Sequence, residues 1–296
     1  MCSSDLRHLR YFLAVASHEN VRAASEALHV SQPAVSRQIQ DLEEELGVTL
    51  FERLPRGIRL SRSGEAFRED ISKVMAAIGV ACERARRVAR GEIGELRIGY
   101  VEVAGWEGIV PDTFHAFREN APEVRLELTP AGTPDQLAMI RAGTLDAGFI
   151  YQFEPLPPDL ASLHLSEHGV LLAMPSRWPQ RPDGPVNLRD LTDEHFIFFH
   201  RNAYPAYYDR LLTACALSGL VPNIVQEGRN EAAVLSLVSA GIGLAIVNDR
   251  NRYRPPAQVE FRELGDLQIR LPLRFVYRHE KTNPALQKML ACLENG

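Results

Sequence analysis

The chain has 296 residues, 45% of them hydrophobic and 24% charged, with a formal net charge of −5. At roughly 100–200 residues per domain this makes two or three domains, with core enough to fold without disulfides. Those proportions are the profile of a soluble globular protein, and no apolar run approaches the ~18–20 residues of a membrane span. Cys2, Cys82, Cys215 and Cys292 lie far apart and form no CxxC pair. That speaks against a disulfide framework or a zinc site and suits a reducing compartment. The first residues, Met1-Cys2-Ser3-Ser4-Asp5, lack a basic segment leading into an apolar run, so no secretory signal and a cytoplasmic location are expected. An acidic chain does not by itself suggest nucleic acid, but charge acts locally. Residues 53–62 hold Arg53, Arg56, Arg59 and Arg62 and no acid.

Three helical segments come first. Leu6, Leu9, Phe12, Leu13 and Ala16 recur at helical spacing. Asn20 reads as the N-cap of a short second helix carrying Ala23, Ala24, Ala27 and Leu28. Ser31 reads as a cap with Pro33 in the first turn of a third helix that stops at Gly47. Thr49–Phe51 and Ile58–Leu60 predict two short strands around Pro55-Arg56-Gly57, a hairpin with a basic tip. From Ser63 to Arg90, Phe67, Ile71, Val74, Ile78, Ala81, Ala85 and Val88 form an a/d seam. That seam predicts a long helix packing on a partner helix. Gly91-Glu92-Ile93-Gly94 breaks it. Strands near 96–101, 124–129, 145–151, 170–174, 196–199, 223–226, 244–248 and 271–277 then alternate with helices near 114–119, 134–142, 207–218, 231–240 and 284–293. Such alternation predicts an α/β domain with mostly parallel sheets.

The third helix carries the most chemistry. Val35, Ile39, Leu42 and Leu46 share one face, whereas Gln32, Pro33, Ser36, Arg37 and Gln40 fall on another. Amides, a hydroxyl and a guanidinium near a helix N-terminus are the groups that read base edges in a major groove. A solvated polar face is the bland alternative; the order helix, turn, helix and basic hairpin favours DNA. The basic hairpin at 53–62 would then reach phosphates or a minor groove.

These residues resemble a known family. Residues 5–64 look like the winged helix-turn-helix of LysR-type transcriptional regulators, above all Leu9-Arg10-Tyr11-Phe12, Ala23–Leu28, Val30–Ile39, Leu42–Gly47 and Leu50–Arg53. Ile140–Gly148 and Val238–Gly243 look like the recurrent signatures of that family's effector domain. The resemblance implies a DNA-binding domain over 4–61, with its helix-turn-helix from Val21 to Gln40, a linker (dimerisation) helix over 62–92 and a two-lobed, periplasmic-binding-protein-like effector domain over 94–296. Lobe I would take about 94–165 and 268–296, and lobe II about 166–267. It implies promoter DNA as partner, a homodimer through the linker helix, a homotetramer through the effector domains and room for contact with RNA polymerase. No cofactor or metal is implied, but a small organic effector is. The effector cleft would be lined by Val101, Glu102, Val103, Thr133, Phe199, His200, Arg201, Asn202, Asn230 and Asn248, with Thr133 before Pro134 capping a helix N-terminus as an anion site. The first domain looks closest to regulators of aromatic-compound breakdown. The cleft departs from them: Glu102 would repel an anionic inducer, and Arg201 would have to offset it or clamp the anion.

Other signals are weaker. Gly241-Ile242-Gly243 lacks the third glycine of a dinucleotide fingerprint. His164 and His168 lie in a segment without helical pattern, and Cys215 reads as a buried thiol rather than a redox sensor. The Trp106-Glu107 pair could stack on an aromatic ligand, though ordinary packing explains Trp106 as well. An enzyme or an uptake protein on the same α/β fold would leave residues 5–90 without a purpose.

Overall fold

The computed structural model describes residues 6–55, 57–106, 108–178, 184–280 and 283–295. The described residues form two compact units, one through Arg86 and one from Arg87 onward.

The first unit begins with α1 (Leu6–His18), α2 (Val21–Leu28) and α3 (Gln32–Leu46). Asn20 caps α2 as its residue type predicts, its side chain accepting the Arg22 and Ala23 amides. Gly47 ends α3 in the left-handed region (φ 68°). Ser31 holds the N-cap position of α3 without a side-chain cap bond, so the expected hydroxyl cap is absent. β1 (Phe51–Leu54) and β2 (Gly57–Leu60) pair antiparallel as the hairpin. The core gathers Phe12, Val15, Ala24, Val35, Leu42 and Leu50. The Phe12 ring lies 5.3 Å from Phe51 and 5.0 Å from Phe67.

The long helix α4 spans Arg62–Ala89. Its start is tightly fitted: a Cβ at Gly64 would sit 2.1 Å from the Leu50 carbonyl oxygen, which leaves room for glycine alone. Phe67 packs into the first unit's core rather than on a seam. From Ile71 to Val88 no seam residue is buried, and Val74 and Val88 are each 46% exposed.

The second unit has two lobes. In lobe I a five-stranded sheet runs in the order β4 (Glu123–Pro130), β3 (Ile93–Tyr100), β5 (Ala147–Tyr151), β12 (Leu271–Arg278) and β6 (Leu160–His168). With it go α5 (Ile109–Asn120), α6 (Thr133–Ala142) and α9 (Pro284–Asn295). In lobe II, β10 (Ala245–Asn248), β7 (Val170–Pro175) and β11 (Val259–Arg262) form one sheet, and β8 (His195–Phe199) pairs with β9 (Asn223–Gly228). An isolated bridge between Phe196 and Leu244 links β8 to the residue just before β10. α7 (Pro205–Leu217) and α8 (Glu231–Ser239) belong to this lobe.

The expectation of mostly parallel sheets is corrected. β3 pairs parallel with β4 and β5, as β8 does with β9. β12 pairs antiparallel with β5 and β6, and β7 antiparallel with β10 and β11. The cause is the double crossing between lobes: strands that leave or return at a crossing run against those built from helical crossovers. Two strands have no counterpart in the sequence reading. β6 mixes Ser, His and Glu among its leucines, and β11 is four residues after a double proline.

In lobe I the signature Ile140–Gly148 has a mechanical role. Gly143 ends α6 at φ 76°, and the buried Asp146 carboxylate accepts from the Arg97 amide at 2.8 Å and from its guanidinium at 3.1 and 3.3 Å.

Candidate functional sites

The first site is the groove between α3 and the hairpin. Gln32, Ser36 and Gln40 line it from the helix, Arg53 and Gly57 from the strands. Pro33 and Arg37 are exposed on the same helix outside that lining. Neither Arg37 nor Arg53 makes an ion pair among the described residues, so both keep a free positive charge. Arg59 does not: it is bound to Glu52 across the hairpin at 2.7 Å. Arg56 lies outside the described residues. Glu43 of α3 accepts the Leu50 and Phe51 amides at 2.6 and 3.0 Å, which fixes the hairpin to the helix.

The second site is a cavity of about 700 Å³ between the lobes. Val101, Glu102, Val103, Thr133, Phe199, His200, Asn202, Asn230 and Asn248 all line it. Arg201 does not. It turns away to Asp209, with contacts of 2.8 and 2.5 Å, and the pairing holds its guanidinium pKa up. The expected anion clamp is thereby removed. Thr133 is not the cap either. Gly132 occupies the N-cap of α6, and the buried Thr133 hydroxyl donates to the Tyr151 carbonyl at 3.2 Å. Asn230 does cap α8, accepting the Ala233 amide at 2.9 Å.

The sequence reading missed most of the aromatic wall: Tyr151, Phe153, Tyr204 and Tyr207 join Trp106 and Phe199 there. Tyr207 is stacked between Phe153 and Phe199, at 5.0 Å from each. Phe153 comes from lobe I, and its amide donates to the Tyr204 hydroxyl of lobe II at 3.1 Å. Arg229 and Glu231 also line the cavity unforeseen. Glu231 accepts from the Asn251 side chain at 2.6 Å and the Asn248 amide at 3.2 Å. Trp106 carries the Arg254 guanidinium over its ring at 5.7 Å, and Glu107 lies outside the described residues.

Beneath the cleft, Tyr151 and the buried His168 share a hydrogen bond of 2.6 Å, and Ser166 bonds the other imidazole nitrogen at 3.1 Å. Burial first, then the nearby Arg250 charge, lowers His168 from 6.5 to about 4. As pH falls, the unfolded chain therefore takes up this proton before the folded one does. Stability is lost between about pH 6.5 and about pH 4, by up to about 3 kcal/mol from this residue. Urea unfolding followed over that range should give a steeper loss for the native protein than for His168→Gln; equal slopes would refute the assignment.

Among the described residues no group of three or more His, Cys, Asp or Glu side chains is placed to hold a metal ion. Burial pushes the Cys215 thiol up to about 12, which suppresses the reactive thiolate. No described helix is long and apolar enough to cross a membrane.

A lysR-family bacterial regulatory helix-turn-helix matches residues 6–65, and the LysR substrate binding domain matches residues 89–296. The chain belongs to the LysR family of DNA-binding transcriptional regulators, and it is a regulator rather than an enzyme. It is 33% identical to the HTH-type transcriptional regulator AlsR of Bacillus subtilis (strain 168), over 97% of this chain and 94% of that one. It is 32% identical to TfdS of Cupriavidus pinatubonensis, over 99% and 98%. Among solved structures it is similar to full-length CbnR bound to its target DNA, with a TM-score of 0.79, 30% identity and coverage of 98% and 99%.

Proposed function

We propose that the exposed arc of α3, formed by Gln32, Pro33, Ser36, Arg37 and Gln40, reads base edges in promoter DNA while Arg53 and Arg56 hold the backbone. What supports this most is one arrangement: Gln32, Ser36 and Gln40 share a groove with Arg53, and Arg37 stands beside it with its charge unpaired. Arg37→Ala and Gln32→Ala are expected to weaken specific binding by about 1–3 kcal/mol each. Arg56→Ala should instead weaken binding to every sequence and reduce the salt slope by about 1. A footprint and titration on the DNA upstream of the protein's own gene tests both. Unchanged operator affinity in the first two variants removes this reading face.

The interlobe cavity is the effector site in this reading, and its closure reshapes the assembly that presents the reading heads. The uncovered face of α4 from Ile71 to Val88 pairs two protomers, and the effector domains pair again into a tetramer. The protein works in the cytoplasm, where RNA polymerase is a further partner. The aromatic wall favours a ring-bearing effector.

A further inference from the structure

The charged lining of the cavity is acidic. Glu102 comes from lobe I, Asp135 from the first turn of α6 and Glu231 from the first turn of α8. The partial positive charge of these two helix N-termini is thus already met by side chains of the same helices. Arg229 is the one guanidinium or ammonium in the lining among the described residues, and Arg201 is spent on Asp209. An incoming carboxylate would meet two opposed carboxyl groups.

The rings point the same way independently. Two of them already hold a cation against one face: Arg254 over Trp106 and Arg210 over Phe153, each at 5.7 Å. Phe153 is also stacked on Tyr207, so the aromatic surface open to the cavity is that of Trp106 with Tyr151 and Tyr204. Aromatic walls combined with carboxylates suit an organic cation.

We propose that this cleft binds an aromatic or arylalkyl amine in its protonated form, with the ammonium shared between Glu102 of lobe I and Glu231 of lobe II. The proposal rests on the reading of the cleft as the effector site. Burial, with the charge of Glu102 adding to it, holds the Glu231 carboxyl above its usual range, so the site has a cation to gain. Without a ligand the Glu102 charge works against the ionised form of Glu231, and an ammonium shared by the two would offset it. Binding and lobe closure then become one event.

The test uses the full chain, calorimetry and three ring-matched probes: 2-phenylethylamine, 3-phenylpropionate and 2-phenylethanol. The amine should bind and the other two should not. Glu102→Gln, at an exposed position, and Glu231→Gln should each weaken the amine about tenfold. Gly132→Trp fills the cleft from a position where a Cβ has ordinary room, its nearest neighbour being the Ala203 carbonyl oxygen at 3.7 Å. It should abolish binding. Binding of the acid that Gly132→Trp abolishes overturns the amine assignment and leaves the cleft as effector site. Binding of any probe that survives Gly132→Trp overturns the cleft reading itself. Absence of binding by all three overturns the amine assignment.

Discussion

Replacing Phe12 by alanine is expected to destabilise the first unit by about 3–5 kcal/mol. The side chain is fully buried and its ring meets two others, Phe51 of β1 and Phe67 of α4. One residue of α1 therefore joins the hairpin and the long helix to the helical core. Alanine would leave a cavity bounded by three different elements, a site poorly able to collapse. Against a typical total of 5–15 kcal/mol, that loss brings the DNA-reading unit near its unfolding point. Phe12→Leu keeps most of the volume and should cost less than about 1.5 kcal/mol. The expected result is loss of operator binding in Phe12→Ala at temperatures where the unit beginning at Arg87 still shows its own unfolding transition. A change below about 1 kcal/mol would mean that the three-ring cluster does not hold the unit together.

Phe149→Ala should produce the converse pattern. Phe149 is fully buried in β5, with Phe275 at 4.8 Å and Phe114 at 5.6 Å. Its carbonyl accepts the Val101 amide at 3.1 Å and the Gln136 side chain at 3.2 Å. The ring thus fills the lobe I core while its backbone positions the cleft wall at Val101 and, two residues along, Tyr151. A loss of about 3–5 kcal/mol is expected in the second unit, together with loss of effector response and with effector-free DNA affinity retained. Calorimetry on the two variants side by side separates the units. If both variants abolish both transitions together, the units do not unfold independently.

The elements of the first unit were largely legible because their signals are local. Asn20 and Gly47 mark helix ends through their own backbone and side-chain chemistry, and α3 shows its two faces through a 3.6-residue period. The hairpin was legible too, although Thr49 and Leu50 precede β1 rather than belong to it. What escaped depended on distant partners. Arg201 was expected in the cleft, and only the turn into α7 brings Asp209 within reach of it. Phe153, Tyr204 and Tyr207 are separated by about 50 residues and meet because two lobes face each other; no period in the chain joins them. Arg229 and Glu231 flank a recognisable cap, Asn230, but nothing local says that this helix end opens on a cavity. β6 stayed hidden because a half-exposed strand carrying His, Ser and Glu has no clean alternation.

Glu43 has a consequence for how the operator can vary. One oxygen of its carboxylate accepts both amides that begin the hairpin, at 2.6 and 3.0 Å, from the last turn of α3. The proposed reading face of α3 and the hairpin that carries Arg53 are therefore fixed like marks on one ruler. An operator that shifts its phosphates relative to its bases cannot be followed by moving the hairpin alone. The protein should tolerate a changed base within a half-site more readily than an inserted or deleted one, because an insertion sets the whole ruler out of step.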